Sequence, residues 1–206
     1  MTTYIALLRG VNVGGSARIA MKDLRALFAG MGFEDVRTYL QSGNVVFRAP
    51  TASTSAAATA TDSAAATASA VPAPAGTQRP ADLAVSIEKR IADDLGVSCT
   101  VLLRTGDSLA RTLAANPYLG REDDPAKLHV TFLAQEPTAE QAARLAVPAG
   151  ETAVFALVGD EIHLHVPDGY GRTRLNNAFI ERRLGMRATT RNWKTVTALH
   201  ELAAGH

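Results

Sequence analysis

Residues 36–48 read VRTYLQSGNVVFR and carry a hairpin pattern. Two strand-forming runs, 36–40 and 44–48, flank the tripeptide Gln41-Ser42-Gly43. Serine and glycine are residues that tight turns favour. Runs of this kind on both sides of a short turn are typical of a β-hairpin. The stretch therefore predicts two paired strands in the first half of the chain.

The segments around the hairpin alternate between helix and strand patterns. Residues 4–9 form an apolar, strand-like run, and residues 98–104 form another. Before the hairpin, apolar residues recur at helical spacing, at Met21, Leu24, Leu27, Phe28 and Met31. After it, apolar residues step by four, at Leu83, Ile87, Ile91 and Leu95. The predicted order is β-α-β-β-α-β, the ferredoxin-like order.

The second half repeats this order. It contains a strand at 127–133, a helix at 138–146, strands at 152–158 and 161–166, a helix at 176–184 and a short strand at 187–190. Gly159-Asp160 is a strong hairpin signal between the two middle strands. A connector helix carrying Leu109 and Leu113 precedes this repeat, and a helix at 192–203 ends it. We predict an α+β fold of two subdomains, 1–104 and 105–206, of which the second is a related α+β repeat with a C-terminal helix.

Residues 49–80 differ in composition from the rest of the chain. Alanine, threonine, serine and proline make up nearly all of this segment, and it offers no large apolar residue to bury. Burial therefore cannot offset the entropy lost on ordering. We expect a disordered insertion in a surface loop.

The bulk composition limits the classes of protein. The 206 residues carry a net charge of +1, so any anion site must come from local clustering. The single cysteine excludes a disulfide within the chain and suits a reducing compartment. The sequence shows neither a signal-peptide pattern nor an apolar run of the roughly 20 residues that span a bilayer. We expect a soluble, cytoplasmic protein without a membrane partner.

Five separated stretches, taken together, resemble one family. They are LLRGVNVGG (7–15), RTYLQSGNVVF (37–47), KLHVTFL (127–133), PDGYGRTRLNNAFIERRLG (167–185) and ATTRNWKTV (188–196). In this order and spacing they are similar to the bacterial domain-of-unknown-function family 1697, with an insertion at 49–80 longer than is usual there. The resemblance implies two α+β subdomains, the first ferredoxin-like. It implies no activity, catalytic residue or cofactor.

The glycine-rich loop RGVNVGG, residues 9–15, has two interpretations. Its glycines are spaced nearly as in a P-loop, but Ser16-Ala17 stands where Lys-Ser/Thr is needed, so Walker-type hydrolysis is excluded. A weaker anion nest remains, with amides of Gly14 and Gly15 and with Arg9 and Asn12 at its rim. The alternative is a tight turn that needs glycine for its backbone angles.

Segment 170–194 carries the clearest charge signal. It has seven arginine and lysine residues against the single acid Glu181, a local charge of +6. The arginine fork suits phosphate and carboxylate groups, so Arg172, Arg174 and Arg191 are candidate anion ligands, and the alternative is a solvated helix face. The tryptophan, Trp193, is either a stacking platform or an apolar anchor at the start of the last helix.

Histidines offer a weaker alternative. His163 and His165 share one face of a predicted strand, and His129 on another strand would have to complete a metal site. No carboxylate at ligand spacing supports this, so we expect no metal. The chain also lacks the GxSxG and HExxH motifs of hydrolases and metalloproteases.

The sequence thus predicts a binding module for a small anionic ligand or nucleotide, at the place where the two subdomains meet. Three alternatives stay open: an enzyme of unknown reaction in the same cleft, a nucleic-acid-binding protein, and an interaction scaffold in which these polar residues only hold the subdomains together. The candidate ligand-binding residues are Arg9, Asn12, Gly14, Gly15, Gln41, Ser42, Asn44, Arg172, Asn176, Arg191, Asn192 and Trp193.

Overall fold

The computed structural model describes residues 1–12, 18–50 and 79–205. Gly14 and Gly15 lie outside the described residues, and so does most of the predicted insertion at 49–80.

Seven elements make up the first half. They are β1 (Thr2–Arg9), α1 (Met21–Gly30), β2 (Glu34–Tyr39), β3 (Asn44–Ala49), α2 (Pro80–Leu95), β4 (Thr100–Thr105) and α3 (Gly106–Ala114). The hairpin predicted from residues 36–48 is β2–β3, and its strands pair antiparallel.

The second half has the same order after a short 3-10 helix, Pro125–Lys127. It comprises β5 (Leu128–Leu133), α4 (Ala139–Ala143), β6 (Val154–Val158), β7 (Glu161–His165), α5 (Asn177–Leu184), β8 (Ala188–Asn192) and α6 (Trp193–Ala204). The helix predicted at 138–146 is shorter than expected. It begins with a capping box between Thr138 and Gln141 and ends at Ala143.

Each half forms one four-stranded sheet whose neighbouring strands are all antiparallel. The strand orders are β2-β3-β1-β4 and β6-β7-β5-β8, which are the same order in the two halves. This confirms the predicted α+β fold with a ferredoxin-like first subdomain and a related second one. Each unit also ends in an additional helix, and these two helices, α3 and α6, contact each other. The division of the chain at residue 104 stays a prediction.

Alternating side chains of β1 face two different apolar clusters. Tyr4, Ala6 and Leu8 pack with α1 and α2, whereas Ile5 and Leu7 belong to a cluster that contains residues of both sheets and of α3 and α6. A third cluster lies on the α5 side of the second sheet. The shared cluster joins the two halves, so polar groups at its border lie between the subdomains.

Trp193 packs against the shared cluster together with Val196 and Leu199 of α6. This contact agrees with the interpretation of Trp193 as an apolar anchor at the start of the last helix. Among the described residues, no helix is long and apolar enough to cross a membrane.

Candidate functional site

The turn between β2 and β3 lies directly against the end of β1. The Leu8 amide donates a hydrogen bond to the Gly43 carbonyl over 2.8 Å. Gly43 has a φ of 72°, and a Cβ there would lie 2.4 Å from Cγ2 of Val11 and 2.8 Å from Cβ of Leu8. Glycine is required at this position both by its backbone angle and by the space.

Arg191 of β8 is buried beside this turn, with 8% of its surface exposed. All five of its N–H groups donate hydrogen bonds within the protein. The acceptors are Asn44 Oδ1 at 2.6 Å, the Leu8 and Ser42 carbonyls at 2.6 and 3.3 Å, the Thr189 hydroxyl at 2.8 Å and the Thr190 carbonyl at 2.9 Å. We call Arg191 with these acceptors the Arg191 cluster. Burial lowers the pKa of Arg191 to about 10, so the side chain is a cation at neutral pH.

Asn44 orients its acceptor oxygen for Arg191. It is fully buried, and its side-chain amide donates to the Tyr39 carbonyl at 3.0 Å and to the Ser42 hydroxyl at 2.9 Å. Its amide orientation is therefore fixed by the turn. The side chains of Asn44 and Arg191, both candidate ligand-binding residues, are therefore hydrogen-bonded to other groups of the protein.

Arg104 of β4 makes the reciprocal contact in the opposite direction. It is as buried as Arg191, and its Nη2 donates to the Leu133 carbonyl at the end of β5 over 2.7 Å. The same nitrogen lies 2.9 Å from the carboxylate of Asp160, in the turn between β6 and β7. Arg191 likewise contacts the end of β1 and the turn between β2 and β3. Each half therefore sends one arginine, placed just before its last helix, into the same place in the other half.

The environment of Arg104 differs from that of Arg191 in charge. Glu161 occupies the position that corresponds to Asn44, and its carboxylate lies 4.0 Å from Nε of Arg104 and accepts from the Thr112 hydroxyl at 2.5 Å. Burial lowers the pKa of Arg104, and the charges of Asp160 and Glu161 oppose this shift. The two contacts share their backbone geometry but not their side-chain partners.

Arg9 is paired with an acid of the second half. Its Nη1 lies 2.5 Å from Oε2 of Glu181 on α5. Glu181 also accepts from the Ala188 amide over 2.8 Å, which places the carboxylate between β1 and β8. The charge of Arg9 is thus neutralised locally.

Asn12 follows β1 and bonds to two segments that are distant from it in sequence. Its side-chain amide donates to the carbonyls of Ile19 at 3.0 Å and Gln41 at 2.7 Å, and its Oδ1 accepts from the Ile19 amide at 2.9 Å. Asn12 has a φ of 55°, a left-handed conformation that asparagine tolerates better than most residues. It joins Ile19, just before α1, to Gln41 in the turn between β2 and β3.

Asn176 and Asn192 each cap a helix. The Asn176 side chain accepts from the Phe179 amide at the start of α5, and the Asn192 side chain accepts from the Thr195 amide at the start of α6. Asparagine is a preferred N-cap residue, so this role explains both positions without a ligand.

Tyr170 is a residue that the sequence analysis did not single out. Its ring stacks on His129 with centroids 4.8 Å apart. Its hydroxyl is buried near the Thr190 side chain and the Asn177 backbone. Burial raises the pKa of Tyr170, and the nearby Thr190 side chain and the charges of Arg9 and Arg191 partly oppose this. Tyr170 lies within the stretch 167–185 that resembles the family, but a tyrosine between two glycines predicts no particular role.

The three histidines do not converge. His129 pairs in register with Leu164, so it lies on the face of the second sheet opposite to His163. His163 is fully buried, and neither ring nitrogen has a partner among the described residues. Burial lowers the pKa values of His129 and His163 to about 4. In the part of the chain that the structure describes, no group of three or more histidine, cysteine or acidic residues is arranged to hold a metal.

Arg172 lies in a cleft that none of the other predicted site residues lines. This cleft of about 340 Å³ is also lined by Arg174 and by the acids Glu151 and Asp168. Both acids are engaged: Glu151 accepts from the Arg174 amide, and Asp168 accepts from the Thr152 hydroxyl. The prediction that Arg172 joins Arg9 and Arg191 in one site finds no support in these contacts.

A larger cleft of about 680 Å³ lies beside the start of α1. Its polar lining includes Asn12 and Gln41, two of the predicted residues, together with Arg18 and Lys22. Both cations are exposed, and neither has a salt-bridge partner among the described residues. The sequence analysis did not single out these two cations, which are unfavourable for the dipole of a helix that has one acid, Asp23, in its first turn.

Comparison with known proteins places the chain in a family. A family model described as a protein of unknown function (DUF1697) matches residues 1–77 and 71–163. The chain is also similar to the solved structure of the conserved bacterial protein SP0830 from Streptococcus pneumoniae, with a TM-score of 0.66 and 20% identity over 98% of each chain. At this identity the likeness shows the fold alone. No curated protein matches the chain significantly. The matched segments and the five sequence stretches agree, and the chain belongs to the DUF1697 family.

Proposed function

We propose that the protein binds a small anionic ligand, bearing phosphate or carboxylate groups, in the cleft beside α1. The observation that carries the proposal is that Arg18 and Lys22 line a cleft of about 680 Å³ without an acidic partner among the described residues. Nucleotides belong to this ligand class.

The start of α1 adds to the attraction for an anion. Its N-cap residue, Ala20, makes no side-chain hydrogen bond to the first turn. Backbone N–H groups at an uncapped helix start are donors for an anion, and the helix dipole favours negative charge there. Arg18 and Lys22 are unfavourable at this end, where Asp23 is the acid of the first turn, and a bound anion would offset their cost further.

The walls of the cleft combine fixed and apolar surface. The hydrogen bonds of Asn12 hold Ile19 and Gln41, two lining residues, next to each other. Ile19, Ala20 and Met21 supply apolar surface, which is typical of small-molecule sites with a few polar groups.

The contacts of Arg9, Asn44 and Arg191 support a different role for these three residues. Their charged or polar groups are bonded within the protein, so they hold the two halves together, as in the scaffold alternative. The proposed ligand site therefore keeps Asn12 and Gln41 from the predicted set and adds Arg18 and Lys22.

Thermal shift with inorganic phosphate, AMP and citrate as probes tests the proposal. A probe at 100 times its Kd stabilises the folded state by about 2.7 kcal/mol, which raises Tm measurably. We expect at least one probe to raise the Tm of the wild type, and the double variant Arg18→Ala/Lys22→Ala to lose this rise.

The matched control is Arg25→Ala/Arg121→Ala. It removes the same charge from exposed positions that do not line the cleft. This variant should respond to the probes as the wild type does. The proposal is wrong if no probe raises Tm, or if the cleft variant and the control respond alike.

A further inference from the structure

The two sheets have four edge strands, β2 and β4 in the first and β6 and β8 in the second. The edge strand β2 carries Glu34, Asp35 and Arg37, and its pairing with β3 shifts register between Glu34 and Arg37. Charged side chains and bulges prevent an edge strand from pairing with another chain. β4 and β8 carry Arg104 and Arg191, and each contacts the other half of the molecule.

β6 has none of these protections. Its sequence, Val154-Phe155-Ala156-Leu157-Val158, contains no charged residue, proline or glycine. Within the described residues, β6 pairs with β7 on one side and with no strand on the other. Val154 and Val158 are 42% and 41% exposed. A regular, apolar edge of this kind offers a free row of backbone hydrogen-bonding groups.

We propose that β6 pairs antiparallel with β6 of a second copy of this chain, about a two-fold axis through Ala156. The pairing joins two four-stranded sheets into one sheet of eight strands. The docking mode is strand addition, in which backbone hydrogen bonds supply affinity and side chains supply specificity.

The sequence of β6 favours a second copy over an unrelated strand. Antiparallel pairing about Ala156 places Val154 opposite the partner's Val158 and Phe155 opposite the partner's Leu157. The strand reads valine, large apolar, alanine, large apolar, valine, so it is self-complementary in size. No charge faces a like charge within the paired segment, and apolar cross-strand pairs stabilise a sheet. A two-fold contact also closes on itself and does not extend into a fibre.

Two five-residue strands bury less surface than the about 1,200 Å² at the lower limit of stable complexes. We therefore expect a reversible monomer–dimer equilibrium that shifts with concentration. Sedimentation or light scattering of the wild type, up to about 1 mM, should show the average mass rising towards twice the monomer mass.

Charge substitution at the exposed valines tests the pairing. Val154→Lys/Val158→Lys places two lysine pairs face to face across the two-fold axis, so this variant should stay monomeric over the same range. Val154→Glu/Val158→Glu should also stay monomeric. An equal mixture of the two variants places lysine opposite glutamate and should restore the twofold rise in mass.

The control is Val85→Lys/Val147→Lys, which adds the same charge at exposed valines outside β6. It should dimerise as the wild type does. Circular dichroism checks that each variant is folded, and the single variant Val158→Lys replaces the double variant if that one is not. The proposal is overturned if the wild type stays monomeric up to about 1 mM, if the lysine variant dimerises like the wild type, or if the control is also monomeric.

Discussion

The replacement Arg191→Ala tests the role of the Arg191 cluster. It removes five hydrogen bonds, of which three join β8 to the first half through Leu8, Ser42 and Asn44. A hydrogen bond to a charged group contributes about 1.5–3 kcal/mol to stability, so these three bonds contribute about 5–9 kcal/mol before the cost of burial is subtracted. Burying the guanidinium costs several kcal/mol of this.

The net loss in the free energy of unfolding should be about 3–5 kcal/mol, because buried neutral acceptors are left unpaired at about 1–3 kcal/mol each. This is a large part of the about 5–15 kcal/mol that stabilises a typical domain. Arg191→Lys keeps the charge but has only three donors, and it should recover less than half of the loss. The exposed control Arg25→Ala should change stability by no more than about 0.5 kcal/mol.

Urea unfolding, followed by two probes, measures the effect. Far-ultraviolet circular dichroism reports the whole chain, whereas fluorescence of Trp193, the single tryptophan, reports the junction next to Arg191. If the cluster joins the halves, the two transitions should coincide in the wild type and separate in Arg191→Ala. A loss below about 1 kcal/mol in Arg191→Ala would show that the cluster does not hold the halves together.

Three further predictions concern other sites. Gly43→Ala should lower the free energy of unfolding in urea by about 2–3 kcal/mol, because its methyl group collides with the side chains of Val11 and Leu8. As a control, the methyl group of Gly30→Ala meets open space in helix α1, so this variant should be neutral or stabilising. His129 and His163 have folded pKa values of about 4, below the usual 6.5, so the unfolded state binds more protons and stability should fall as pH drops from about 6.5 to about 4. His163→Leu should make stability less dependent on pH in this range, and an unchanged pH dependence would exclude His163 as a cause. Burial raises the pKa of Cys99 to about 11, so Ellman's reagent at neutral pH should label it at least about tenfold more slowly in the folded than in the unfolded protein, and equal rates would contradict this.

The sequence predicted the order of strands and helices because its signals are local. Hairpin turns, helical spacing and glycine helix ends each lie within a few neighbouring residues, and the same order in both halves followed from them. The candidate site was harder to predict. Arg191 bonds to carbonyls of residues about 150 to 180 positions away, and charge alone does not show whether an arginine contacts a ligand or a backbone carbonyl.

The sequence identified part of the lining of the proposed cleft, near the predicted glycine-rich loop. Asn12 and Gln41 line it, but the cations that make it attractive to an anion, Arg18 and Lys22, were missed. Their significance depends on where α1 begins and on whether they are paired, and the second of these is visible only in three dimensions. Arg172 was grouped with Arg191 because they are close in sequence, yet it lines a different cleft.

The reciprocal contacts of Arg104 and Arg191 bear on the ancestry of the fold. In an isologous dimer, residue i of one copy contacts residue j of the other and j contacts i. The two arginines follow this rule inside one chain, which is the pattern expected after a gene encoding a self-associating half was duplicated and fused. After fusion the copies could diverge: Asn44 faces one arginine and Glu161 the other. A truncation that keeps only one half would therefore leave its arginine without the carbonyls it evolved to bind.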